Sequence, residues 1–190
     1  MDLIVDRSSP QMLAAFGSET LVLDGRDGAW VAALQAFLAG RRPTGLLVGV
    51  GPGSFAGIRA SIACLQGLGI GWGLRPRGFA SAAVLALAAN APEVTVVGDA
   101  RRGTLWAVRY LVSPDQLVQQ GAFRLISRAH FRPSPEMVTA DAGRLAEFGL
   151  RAVAPRAELL GEAVRRLGSA LTDDPLPIYL HPAVGAAHAE

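Results

Sequence analysis

The chain contains no lysine; all 18 of its basic residues are arginine. That absence excludes a phosphate-binding P-loop lysine, a Schiff-base lysine and lysine-anchored pyridoxal chemistry. Its one cysteine, Cys64, rules out an internal disulfide and fits a reducing compartment. Three scattered histidines give no metal-ligand spacing. Between residues 28 and 92 there is no Asp or Glu, while Arg41, Arg42, Arg59, Arg75 and Arg77 give that segment a local charge of +5. Long apolar runs are also missing. The stretch Ala60 to Leu74 is short and glycine-rich for a bilayer span, and Met1-Asp2-Leu3 lacks the basic region of a signal peptide. The expectation is a cytoplasmic protein with no membrane partner.

With 190 residues, 51% of them hydrophobic, the chain can bury a substantial core as one domain or two small lobes. The net charge is +2 with a pI near 9.3, too mild to imply strong nucleic-acid binding unless the arginines cluster. Any such contact would be led by phosphates and weak.

The most informative stretch is Val48-Gly49-Val50-Gly51-Pro52-Gly53-Ser54-Phe55-Ala56-Gly57-Ile58-Arg59, an apolar strand running through a glycine-rich turn into a helix. Ser54 is placed to cap that helix. The turn has two readings, an anion site at the helix start or a joint that lets the helix pack tightly. Upstream, Leu3–Val5, Met12–Phe16 and Thr20–Leu23 predict an antiparallel three-strand meander. A helix follows from Ala29 to Leu38, with Trp30, Ala33, Leu34, Phe37 and Leu38 at helical spacing and Gly40 at its C-terminal cap. A strand over Leu46–Val50 then leads to a helix over Ser54–Gly71. Three strands, helix, strand, helix is the order of one lobe of an RNase H-like or actin-like ATPase fold.

That last helix carries a single charge, Arg59. At 100° per residue, Ile58, Ile62 and Leu65 line one face, and Ala56, Ala60, Ala63, Cys64, Gly67 and Gly71 the other. The large face suits the sheet; the small face suits close approach of a second helix, of this chain or another.

Ala89-Asn90-Ala91-Pro92 reads as a hinge, dividing lobes at 1–90 and 91–190. Beyond it Val94–Val97, Leu105–Leu111 and Ala122–Ile126 read as strands, Ala142–Phe148 and Ala157–Leu167 as helices, and Pro133-Ser134-Pro135 as an irregular connection. The second lobe reads as a degraded copy of the first, although no clear internal repeat is visible. Asp6 ends the first strand and Asp99 another; each can close a turn, hold a cation or face a cleft.

Gly49 to Arg59, with the alanine- and glycine-rich helix through Gly73, resembles the GVGPGSFTGLRIG signature of the TsaB (YeaZ) family. Asp99-Ala100-Arg101-Arg102-Gly103 and the closing Pro177-Ile178-Tyr179-Leu180-His181-Pro182 are similar to further family segments, in the same order. Residues 116 to 150 carry almost none of it. Asp6-Arg7-Ser8-Ser9 departs from the family's usual Asp-Thr-Ser/Ala-Thr, and Ala56 replaces a threonine.

The resemblance implies a two-lobed α/β fold of the actin-like (RNase H-like, ASKHA) class with a degenerate nucleotide site, where Asp6, Asp99 and Arg101 would mark a vestigial cleft. It implies a non-catalytic scaffold without a cofactor or metal. Its partners would be a TsaD-type catalytic subunit and a TsaE-type ATPase, with tRNA met through the complex and homodimers also open. The complex would transfer threonylcarbamoyl to the adenosine beside the anticodon. Docking would use Gly51, Pro52, Gly53, Ser54, Phe55, Gly57, Arg59, Ala60, Ala63, Gly67 and Gly71. Two rival readings stand beside it. Gly51, Gly53 and Gly57 followed by Arg75 and Arg77 mimic an NADP-binding turn, and an active kinase of the same fold is the other.

Overall fold

The computed structural model describes residues 1–181; Pro182 of the closing motif and the rest of the second predicted lobe to 190 lie outside the described residues. The described residues build two five-stranded sheets. In the first, β1 (Asp2–Asp6), β2 (Gln11–Phe16) and β3 (Glu19–Asp24) form the predicted meander, and α1 (Trp30–Leu38) leads to β4 (Gly45–Gly49). Next come α2 (Phe55–Trp72) and β5 (Pro76–Phe79), with β1, β4 and β5 parallel. The order is β3-β2-β1-β4-β5.

After α3 (Ala82–Ala88), the second sheet takes β6 (Glu93–Arg101), β7 (Thr104–Val112), β8 (Leu117–Ser127), β9 (Met137–Thr139) and β10 (Arg151–Ala152), followed by α4 (Leu160–Leu167). Its order, β8-β7-β6-β9-β10, repeats the first, with the same two antiparallel and two parallel pairings. The chain is thus a topological duplication that its sequence does not display.

Strand alternation distributes the core. Leu3, Val5, Met12, Ala14, Leu46 and Val48 face α1 and α2, burying Leu34, Leu38, Ile58, Ile62 and Leu65. Ile4, Leu13, Leu47 and Phe79 point the other way, onto α3, α4 and the second sheet's Val94, Val96, Trp106 and Tyr110. α3 and α4 are therefore the filling between the sheets. Burial on every side explains why Ala82-Ala83-Val84-Leu85-Ala86-Leu87-Ala88 shows no amphipathic period.

Three local expectations are corrected. The cap of α1 is Ala39, in the left-handed region at φ 48°, with Gly40 following. The helix predicted over Ala142–Phe148 is a single 3-10 turn over Ala146–Phe148, because the Asp141 carbonyl closes the preceding turn onto the Arg144 and Leu145 amides. The strand predicted from Ala122 begins at Leu117, and a register shift lies opposite Ala107 and Arg109. The β6–β7 turn is unusual. Arg101 and Arg102 sit at φ 67° and 52°, where side chains other than glycine and asparagine are disfavoured by about 1–2 kcal/mol per residue.

Candidate functional site

Two features stand out, the outer face of α2 and a cleft between the lobes. Ser54 caps α2 as expected, accepting from the Gly57 amide at 3.3 Å, and Gly73 ends it at φ 66°. Ile58, Ile62 and Leu65 are buried on the sheet, whereas Ala56, Arg59, Ala63, Gly67 and Gly71 are exposed and Ala60 and Cys64 are half-buried. A side chain built at Gly67 or Gly71 meets nothing within 4 Å. The small face of the helix is thus uncovered by the described residues. Phe55 and Ile70, 56% and 87% exposed, stand at its two ends. The Arg59 guanidinium lies 5.1 Å from the Phe55 ring centre, and Tyr179 packs on the same ring at 5.9 Å.

The glycine turn is a packing joint. The Ser54 amide donates to the Ser8 carbonyl at 2.7 Å, a Cβ on Gly53 would overlap that carbonyl, and one on Gly57 would overlap the carbonyl of Arg7. Gly51, Pro52 and Gly57 are buried, so they position the exposed Gly53, Ser54 and Phe55. At Gly53 and Gly57 the turn packs on the carbonyl oxygens of Ser8 and Arg7, a surrounding that does not favour an anion there. The turn also follows β4 of a mixed sheet, and Arg77 is engaged by Asp173 at 2.9 Å.

Asp6 is buried, accepts from the Ser8 amide at 2.8 Å and has the Ser81 hydroxyl beside it; it does not line the cleft. Burial pushes its carboxyl above the ordinary value, partly offset by these hydrogen bonds. A raised native pKa gives stability that is full below the ordinary carboxylate pKa and is lost as pH climbs through the raised one. Asp6→Asn keeps the acceptor without the charge. It is expected to match wild type in acid and to become the more stable protein toward neutrality, whereas Asp6→Ala orphans the Ser8 amide at a cost of about 1–3 kcal/mol. Urea melts across pH check both; an Asn variant losing ground as pH rises would show that the charge is needed.

The cleft, of roughly 1250 Å³, opens between the glycine turn and the β6–β7 turn. Asp99 and Arg101 line it. The Asp99 carboxylate, 8% exposed, closes the turn by accepting from the Arg101 amide at 3.0 Å. Around it stand Arg101, Arg128 and Arg144 at 3.4, 3.7 and 3.9 Å. Asp141 accepts from the Asp99 amide at 3.0 Å. Sequence reasoning missed Arg128, Asp141 and Arg144, since no motif joins them to Asp99. Residues 177 to 181 bridge the lobes along the cleft. The Ile178 amide donates to the Val50 carbonyl at 2.9 Å, and His181 Nε2 lies 2.9 Å from the Ala100 carbonyl.

No protein-family model matches the sequence, and no curated protein matches it. Solved structures do. A Pseudomonas aeruginosa protein described as similar to the peptidase YEAZ superposes with a TM-score of 0.73 at 19% identity, covering 95% of this chain and 99% of that one. YeaZ from the same organism gives 0.71 at 20% identity, covering 94% of this chain and 99% of that one. The chain has the YeaZ fold. The two sheets of identical strand order are the two lobes of this actin-like, RNase H-like architecture. In the YeaZ-like frame, α2 is an outer helix of the first lobe and the cleft is the space between lobes. Among the described residues, no helix is long and apolar enough to cross a membrane.

Proposed function

We propose that this chain is a non-catalytic scaffold subunit for tRNA threonylcarbamoyladenosine formation, cytoplasmic and docking a TsaD-type catalytic subunit through α2. The observation that carries the reading is the uncovered small-residue face of α2, bounded by Phe55 and Ile70. A helix with Ala56, Ala60, Ala63, Gly67 and Gly71 on one side lets a second helix approach closely. Phe55, Tyr179 and Arg59 at one end supply the aromatic and guanidinium groups that dominate interface energetics. Exposed apolar surface of this kind is costly to leave bare and is a common mark of association sites.

The docking residues are those of the glycine turn and α2, with Gly51, Pro52 and Gly57 acting from beneath. A TsaE-type ATPase joins the assembled pair, tRNA is met through the complex, and the same face serves homodimers when the partner is absent. The lobes divide near residue 90. Mixing the purified chain with the catalytic subunit of the same organism is expected to give a stoichiometric complex by light scattering. Two separate species at micromolar concentrations would refute the docking role.

A further inference from the structure

We propose that the docking face of α2 chooses its partner by charge: it is built for a protein surface that brings carboxylates to its arginines, and it works against a second copy of this chain. The inference rests on the docking reading above and adds to it the chemistry of the partner. Between residues 28 and 92, which include α1, α2 and α3, there are five arginines and no Asp or Glu. Two acids from outside that segment reach it, Glu19 on Arg41 and Asp173 on Arg77. Arg42, Arg59 and Arg75 are exposed and have no acidic partner among the described residues.

These cations stand at both ends of the face. Arg59 belongs to the first turns of α2, where a cation opposes the helix dipole, and its guanidinium lies 5.1 Å from the Phe55 ring centre. Arg42 donates to the carbonyl of Trp72, the last residue of α2, and Arg75 lies just beyond the cap at Gly73. Between the ends, the exposed Ala63, Gln66, Gly67 and Ile70 carry no charge. Arg42 is explained within the fold, because a cation suits a helix C-terminus. Arg59 is not. A partner carboxylate offsets its unfavourable place on the helix, since the guanidinium fork takes both carboxylate oxygens. That pair strengthens once Phe55 and Tyr179 are covered and water leaves.

A second copy does not bring that group. In a two-fold dimer the same patch meets itself. Every arginine of one copy then faces a surface whose residues 28 to 92 hold no carboxylate, and like charges placed together cost affinity. Self-association through the apolar positions is therefore weak, while the same arginines draw in an acidic partner. The close helix contact is common to both complexes; charge decides between them.

Salt separates the two. Sedimentation equilibrium of the full chain, alone and mixed with the catalytic subunit of the same organism, is compared at about 0.01 M and about 0.15 M salt, where the screening length falls from about 30 Å to about 8 Å. The mixed complex is expected to weaken about tenfold across that range and self-association to strengthen about threefold. Arg59→Gln, at an exposed position where losing a cation suits the helix, is expected to weaken the mixed complex about tenfold, tighten the self-dimer and reduce both salt slopes. Arg124→Ala, an exposed arginine on β8 of the other lobe, is expected to change neither. The proposal is overturned if both complexes respond to salt in the same direction, if Arg59→Gln and Arg124→Ala behave alike, or if Arg59→Gln loosens tRNA and not the subunit. Those results would leave docking through α2 standing, since Gly67→Leu reports on it by shape; absence of any mixed complex would end both readings.

Discussion

Gly67→Leu is expected to leave the isolated chain melting at or slightly above the wild-type temperature while its affinity for the catalytic subunit falls about tenfold or more. The first half follows from empty space. A side chain at Gly67 meets nothing within 4 Å, so the leucine enters solvent and the helix gains roughly 0.5–1 kcal/mol from losing a mid-helix glycine. At this chain length that corresponds to about 2–4 °C per kcal/mol. The second half follows from the partner. A leucine on a face built for close helix approach overpacks the contact by about 1–3 kcal/mol, and 1.4 kcal/mol is already tenfold in affinity. Thermal melts and titration calorimetry on the same samples separate the two. A destabilised monomer that still binds normally would place this face inside the fold and end its role in docking.

Gly57→Ala, on the same helix, is expected to do the opposite. Its Cβ would overlap the Arg7 carbonyl oxygen and lie 3.1 Å from Ser54 Oγ, the capping atom of the helix. The carbonyl belongs to the backbone of the β1–β2 turn, whose Ser8 carbonyl is tied to the Ser54 amide, so neither side can yield cheaply. A loss of about 3 kcal/mol or more is expected, several degrees in the midpoint. Circular dichroism melts check it; a wild-type midpoint would mean that the turn does not pack on α2 as described. An alanine at Gly67 carries no such penalty, so the sign of Gly→Ala reads which face of α2 each glycine occupies.

The first lobe was legible because its elements follow clean rules: apolar runs split by Ser-Ser-Pro and Gly-Ser-Glu, a helical period at Trp30, Leu34 and Leu38, and a capped helix after the glycine turn. α2's two faces followed from the same 3.6-residue period. What stayed hidden lacks a period or a local cause. α3 is apolar all round because it lies between two sheets, and β5 carries Pro76 and Gly78 within four residues. The second lobe read as a degraded copy of the first, but the repeated sheet order is a property of connections, so no residue repeat displays it. In the cleft, Asp99 was readable from its position at a strand end, but Asp141 lies 42 residues from it and meets it only because β9 pairs beside β6. Asp6 was readable as a turn acceptor, which it is; its burial behind Ser8 and Ser81, which line the cleft, was not.

The scaffold role is tested most directly by reconstituted threonylcarbamoyl transfer to tRNA, measured with the catalytic subunit and ATPase in the presence and absence of this chain. The chain alone is expected to give no product, the partners without it little, and the three together robust transfer that Gly67→Leu reduces. Turnover by the chain alone, or partners equally active without it, would contradict the role.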